Sequence, residues 1–338
     1  MGGQQEYEVS CKCCFLLSVC SAIDYVMNIS VPRDFYLLAF SNSEQHHHII
    51  FIGLLLMYLL ALVGNLLIIV LVCLVPQLHT PMYFFLCNLA VQDIITVSAV
   101  LPKLMTIIFI GERSISFYGC ITQLFLYISC TDGDFLLLAI MAYDRYVAIC
   151  IPMRYHLIMK ARFCILLVST AWIFCTTNAL CYALLMSNLS FCRLIKINHV
   201  FCEILTLVEL SCSDTTLIKT LITVDAPLIG VFPFWLILTS YAYIIYTILK
   251  MRTTAARLKS FSSCSSHLTV LLLYGGTCIS LYMKPVSENS QEVDKLLSLI
   301  YLGFIPVLNP LVYSLRNRQI QYSVKIVFTK YLFHSLYN

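Results

Sequence analysis

The stretch Ile49–Val75, IIFIGLLLMYLLALVGNLLIIVLVCLV, decides the fold: it holds no charged residue and exceeds the ~20 apolar residues a helix needs to cross a bilayer. Six further stretches obey the same rule. Met82–Leu101 is broken only by Asp93, Cys120–Met141 carries Asp132 and Asp134, and Phe163–Met186 has no charge. Leu221–Leu249 holds Asp225 and Pro233, His267–Met283 is shorter and extends back through Ser262, and Leu296–Leu315 contains Pro306 and Pro310. Prolines are tolerable there because neighbouring helices re-satisfy the freed carbonyls. The expectation is an all-α membrane protein, a seven-transmembrane helix bundle.

Composition points the same way. Of 338 residues, 60% are hydrophobic and 11% charged, against roughly 25% charged in a soluble domain. That apolar surplus exceeds what one buried core holds and excludes an ordinary soluble enzyme. A net charge of +4 does not suggest nucleic acid. The 17 cysteines show no paired CxxC spacing for zinc, and many lie in apolar runs, where thiols act as small hydrophobes.

Sidedness follows from Lys and Arg in the loops. One face collects Arg145, Arg154, Lys160, Arg162, Lys250, Arg252, Arg257, Lys259, Arg316, Arg318, Lys325 and Lys330, with Asp144 as its only acid. The other face mixes its bases with most of the acids. The first is therefore read as cytoplasmic and the N-terminus as extracellular. The sequons at Asn28 and Asn188 then fall outside, as glycosylation requires. Three segments result: an extracellular N-terminal segment 1–48, the bundle 49–315 and a cytoplasmic tail 316–338. In the tail, Ile320, Val324, Val327, Phe328 and Tyr331 recur at helical spacing, which predicts an amphipathic helix on the inner leaflet. Residues 1–26 read as a disordered extension upstream of a compact segment beginning at Met27.

Six motifs, in order, carry a resemblance: Gly64-Asn65; Leu78-His79-Thr80-Pro81-Met82-Tyr83-Phe84-Phe85-Leu86; Met141-Ala142-Tyr143-Asp144-Arg145-Tyr146-Val147-Ala148-Ile149-Cys150; Ser240-Tyr241; Lys259-Ser260-Phe261-Ser262-Ser263-Cys264-Ser265-Ser266-His267; and Pro306-Val307-Leu308-Asn309-Pro310-Leu311-Val312-Tyr313. Together the chain resembles the olfactory receptors, rhodopsin-like G-protein-coupled receptors of the plasma membrane. The resemblance implies a small-molecule odorant as ligand, and as partner a heterotrimeric stimulatory G protein of olfactory type that raises cyclic AMP.

Charges within a bilayer are costly and face the bundle interior, so Asp93, Asp132, Asp134 and Asp225 are the most informative residues. Asp93 matches the acid with which rhodopsin-like receptors hold sodium, and Asp134 stands where olfactory receptors carry a glutamate. Two neighbouring carboxylates repel unless a cation lies between them or one is protonated. The site is read as a sodium site; the alternative is a protonated pair hydrogen-bonded to Asn65 and Asn309. No other cofactor is implied. Asp132, beside Tyr127, Ile128 and Thr131, matches the family's ligand-cavity level, as does Asp225. Ile229, Tyr274, Thr277 and Leu281 complete a mostly apolar cavity. Two acids there favour a polar or amine ligand, since a buried carboxylate demands a partner; in the alternative, either points at a neighbouring helix or a watery vestibule.

By the same resemblance Asp144, Arg145 and Tyr146 form the resting and G-protein-contacting switch. Tyr241 and Tyr313 hold the active arrangement, and Asn309-Pro310 breaks the last helix. Four outer cysteines allow three pairings, and the resemblance selects Cys120–Cys202 and Cys192–Cys212. That pairing would consume Cys202 and so argues against metal binding by His199, Cys202 and Glu203. Rival readings are a receptor for a non-olfactory endogenous ligand, with the same activation residues, and an ion-coupled transporter, for which no repeat symmetry is found. Asp132-Gly133-Asp134 lacks the second motif of an intramembrane aspartyl protease, so no enzyme is expected.

Overall fold

The computed structural model of the chain describes residues 34–40, 47–191, 196–282, 290–316 and 320–322. Seven long helices dominate. They are α1 (His47–Leu74), α2 (Pro81–Ile110), α3 (Phe117–Cys150), α4 (Ala161–Ser187), α5 (Thr216–Lys250) and α6 (Thr254–Tyr282), with α7 running Ser290–Leu299, through a π turn Ile300–Phe304, into Ile305–Arg316. By length and composition α1 to α5 and α7 suffice to cross a membrane. The seventh, α6, is 29 residues long, but its serine- and threonine-rich foot dilutes its hydropathy.

The helices overrun the apolar stretches that announce them. α2 continues past Lys103, α3 passes through Asp144 and Arg145, and α6 begins well before Ser262. Backbone hydrogen bonding continues into the polar surroundings, whereas hydropathy marks only the buried length. Local chemistry sets the ends. Pro81 occupies the first turn of α2, where its missing N–H costs nothing, and Gly111, at φ 79°, ends that helix in the left-handed conformation. The Ser116 hydroxyl accepts from the Gly119 N–H at 3.1 Å and caps α3.

The most deeply buried helix is α3; α1 buries only a stripe, Leu54, Ala61, Asn65, Ile68, Leu71 and Val72, at the spacing of one helix face. Along α4 the buried Cys164, Val168, Ala171, Cys175, Ala179 and Ala183 are small enough to admit close packing on α3. Large apolar side chains on the outer faces, among them Phe232, Phe234, Trp235 and Leu236 of α5, are exposed, as a lipid-facing surface requires.

One feature departs from an all-α reading. At the end of the bundle opposite Arg145, β1 (Phe35–Leu37) pairs antiparallel with β2 (Ser114–Ile115) and parallel with β3 (Lys196–Ile197). Phe35 and Leu37 point inward with no exposure, and the Phe35 ring packs against Phe117 and Phe191 at 5.7 and 5.2 Å. This sheet ties the segment before α1 to the α2–α3 and α4–α5 loops.

Of the expected tail helix, Ile320 is helical and buried while Gln321 and Tyr322 are exposed; Val324, Val327, Phe328 and Tyr331 lie outside the described residues. So do residues 1–26, Asn28 and Cys192. Asn188 is exposed at the end of α4, its side-chain amide donating to the Leu184 carbonyl at 2.9 Å.

Candidate ligand cavity and transmission network

Below the sheet, Cys120 at the head of α3 is disulfide-bonded to Cys202 in the α4–α5 loop. Gln123, one turn along α3, reinforces the joint: its carbonyl accepts from the Cys202 N–H at 2.9 Å, and its amide donates to the Ala99 carbonyl at 2.9 Å. Cys212 is also disulfide-bonded. The neighbouring Glu203 caps the loop helix Ile204–Leu210, accepting from the Thr206 N–H and hydroxyl at 2.8 and 3.0 Å. Burial raises its carboxyl above the usual glutamate range, against the opposing pull of those helix N–H groups. His199 faces elsewhere, its Nε2 3.5 Å from the Ser298 hydroxyl of α7. With Cys202 in a disulfide and Glu203 capping, these three do not form a metal cluster, and no group of three His, Cys, Asp or Glu suited to a metal occurs among the described residues.

Next down α3 comes the expected cavity level. Tyr127 sets its ring edge-on to Phe201 of the loop at 4.7 Å, so the disulfide-pinned loop reaches the cavity. Ile128 is buried, and the Thr131 hydroxyl is buried without a hydrogen-bond partner among the described residues. Asp132 and Asp225 both turn towards α4. Asn178 donates to Asp132 Oδ2 at 3.0 Å, and the Tyr182 hydroxyl donates to Asp225 Oδ2 at 2.6 Å. Asn178 and Tyr182 are one helical turn apart, so a single face of α4 holds both acids. Neither acid has a basic partner among the described residues. A π turn, Ala226–Val231, follows Asp225 at once and carries the buried Ile229. Thr277 folds its hydroxyl back onto its own helix, donating to the Leu273 and Tyr274 carbonyls at 2.9 Å. The side chain of Leu281 lies outside the described residues.

Tyr274 leads inward. Its hydroxyl donates to Asp134 Oδ2 at 3.4 Å and accepts from the Asn309 amide at 3.3 Å, while the same amide donates to both Asp93 oxygens at 3.2 and 2.9 Å. All four side chains are buried. Asp134 Oδ1 and Asn309 Oδ1 have no hydrogen-bond partner among the described residues. Asn65 does not join the acids; it donates to the Ala61 and Pro306 carbonyls at 2.9 and 3.0 Å. A buried set of carboxylate, amide and phenolic oxygens with open lone pairs suits a hard cation.

At the far end of α3, Asp144 is completely buried and holds the neighbouring Arg145 guanidinium through its Nε, at 3.0 Å, and its Nη2. Tyr155, in the short helix Tyr155–Ile158, donates to the other Asp144 oxygen at 2.8 Å. Tyr146 packs edge-on against Tyr243 of α5 at 5.9 Å. The Tyr241 hydroxyl meets His267 Nδ1 of α6 at 2.7 Å, and Tyr313 of α7 is buried, its hydroxyl without a partner among the described residues. Three helices thus converge on the foot of α3. Asn178, Tyr182, Gln123 and Tyr155 escaped sequence reasoning. A polar residue within an apolar span was the available signal for the first three, and it was read only for the aspartates.

A membrane bundle of seven long helices, with an acid-bound arginine at one end, a disulfide-pinned loop at the other and a buried acid pair between, defines a G-protein-coupled receptor. The family model described as "Olfactory receptor" matches residues 54–331. The chain is 42% identical over 306 residues to human olfactory receptor 1F1, covering 90% of this chain and 98% of that one. It is 43% identical to mouse olfactory receptor 1E16 over 90% and 96%, and 44% identical to human olfactory receptor 1J4 over 90% and 97%. The chain belongs to the olfactory receptor family. It is a multi-pass membrane protein, a receptor for odorants that acts on a G protein, and not an enzyme.

Proposed function

We propose that this receptor binds a small polar odorant, an amine above all, between α3, α4, α5 and α6, and activates a stimulatory, olfactory-type G protein that raises cyclic AMP. The observation that carries the ligand class is the pair Asp132 and Asp225. Both sit at membrane depth with only neutral partners, Asn178 and Tyr182, which leaves their charge uncompensated. An ammonium group supplies the missing compensation and gains charge-assisted hydrogen bonds in return. The idle Thr131 hydroxyl adds a further polar contact in a mostly apolar lining, the composition small-ligand sites favour.

In this reading the receptor lies in the plasma membrane with Arg145 at the cytoplasmic face and the N-terminus outside. Arg145 is held by Asp144 at rest and is released to the G protein when the foot of α6 moves away from Tyr241. Asp93, Asp134 and Asn309 would hold a sodium ion, whose charge would offset the two carboxylates and favour the resting bundle.

The test is a cyclic AMP dose–response to a panel of amines and to their neutral alcohol counterparts, for the native chain and for Asp132→Asn with Asp225→Asn. Amines are expected to act at lower concentrations than the alcohols, with that preference lost in the double variant. An undiminished amine response in the double variant overturns the ligand assignment.

A further inference from the structure

We infer that Tyr301, which sequence reasoning passed over, is the positioning residue that holds Tyr274 in its resting orientation, so that the π turn of α7 couples the ligand cavity to the buried acid network. The inference rests on the receptor reading above and names its control point.

The geometry is specific. Tyr301 is buried and meets Tyr274 with ring centroids 5.6 Å apart and planes at 89°, the edge-to-face arrangement that aromatic quadrupoles favour. Tyr274 belongs both to the predicted cavity lining and, through its hydroxyl, to the network joining Asp134, Asn309 and Asp93. A swing of the side chain about its Cα–Cβ bond carries the hydroxyl away and breaks those contacts together. Tyr301 is the only side chain in a ring contact with Tyr274 among the described residues.

The backbone explains how α7 delivers Tyr301 there. Residues Ile300–Phe304 form a π turn, a wider turn that rotates the following side chains relative to an α-helix and that recurs at functional sites. Gly303 in that turn lies so close to Met57 of α1 that a Cβ would strike the Met57 sulfur. The turn is thereby clamped between α1 and α6. Tightening it to an α turn would swing Tyr301 away from Tyr274 and release the network, which makes it a two-state element of the kind switching requires. Arg145 is bonded to Asp144 in this structure, so the Tyr301–Tyr274 contact belongs to the resting arrangement and its loss favours activation.

The experiment uses Cys264 as a reporter. This thiol is 4% exposed at the foot of α6, and opening of the cleft around Arg145 uncovers it whether or not a G protein is present. The rate of its maleimide labelling, resolved by mass spectrometry on the full chain, is measured together with nucleotide exchange on a stimulatory G protein. Tyr301→Leu, with Tyr301→Met alongside as a second ring deletion, is expected to speed labelling roughly two- to tenfold, the range that one aromatic pair contributes. Tyr301→Phe, which keeps the ring, should label like the native chain. In a Tyr274→Leu background, Tyr301→Leu should add nothing. The inference is overturned if ring deletion leaves labelling unchanged, if Phe behaves as Leu does, or if the Tyr301 and Tyr274 effects add. Faster labelling without faster exchange upholds this inference and counts against the proposed G-protein type.

Discussion

The side-chain amide of Asn65 in α1 donates to the carbonyl of Pro306 in α7 at 3.0 Å, and that carbonyl is the one which Pro310, lacking an N–H, leaves without a helical partner. Proline in a membrane helix is sustainable when a neighbour takes over the freed group. Here the neighbour is a fully buried asparagine, one residue after Gly64, whose missing Cβ lets Pro310 approach: a Cβ there would stand 2.9 Å from the proline ring.

Replacing that asparagine should therefore expose the cost of the proline. Asn65→Leu keeps the branched heavy-atom outline and removes the donor, leaving a buried carbonyl unsatisfied at a cost of about 1–3 kcal/mol. The expected result is a lower unfolding temperature of the detergent-solubilised receptor. An unchanged temperature would mean that the carbonyl finds another donor.

Gly133 on α3 offers a second structural prediction. A Cβ at this position would collide with the side-chain amide of Gln92 on α2, which is itself only 1% exposed. Gly133→Ala should cost about 1–3 kcal/mol as an overpacked core and reduce the amount of receptor at the cell surface. Adding Gln92→Ala should restore it. Failure of the second change to rescue the first would place the strain elsewhere.

Much of this architecture is legible in the sequence, and the limits are physical. The long helices announce themselves because crossing a bilayer imposes an apolar length that no other constraint imitates. Proline tolerance in the last span was legible too, although not that Asn65 would serve Pro306 rather than the acids. The sheet at the ligand end was not, since strands such as Ser114–Ile115 are too short to show alternation. Neither π turn leaves a compositional trace. The partners of the aspartates are set by how α4 rotates against α3 and α5. That rotation depends on small residues such as Cys175 and Ala179, whose effect is felt only in packing. The sequence therefore located the acids but not that Asn178 and Tyr182 hold them.

The capping residue of the loop helix supplies a pH dependence. Burial holds the Glu203 carboxyl above its usual range in the folded loop, so the folded loop binds this proton more tightly than the unfolded one. Its contribution is fully present below the ordinary glutamate value and is lost as pH rises through the raised one. Protection of the Leu207 amide against hydrogen exchange, corrected for intrinsic rates, should fall from acid towards neutral pH. Glu203→Gln should flatten the profile; a profile that persists in that variant would assign the effect to another group.

The most direct test of the whole account is cyclic AMP production in cells that carry the receptor with a stimulatory, olfactory-type G protein, exposed to an amine-rich odorant panel, with surface receptor quantified for the native chain and for Arg145→Ala. The account predicts a concentration-dependent response to at least one amine in the native chain, and its loss in Arg145→Ala at equal surface amount. A response that survives the loss of Arg145, or silence towards every amine from a receptor proven to be at the surface, would contradict it.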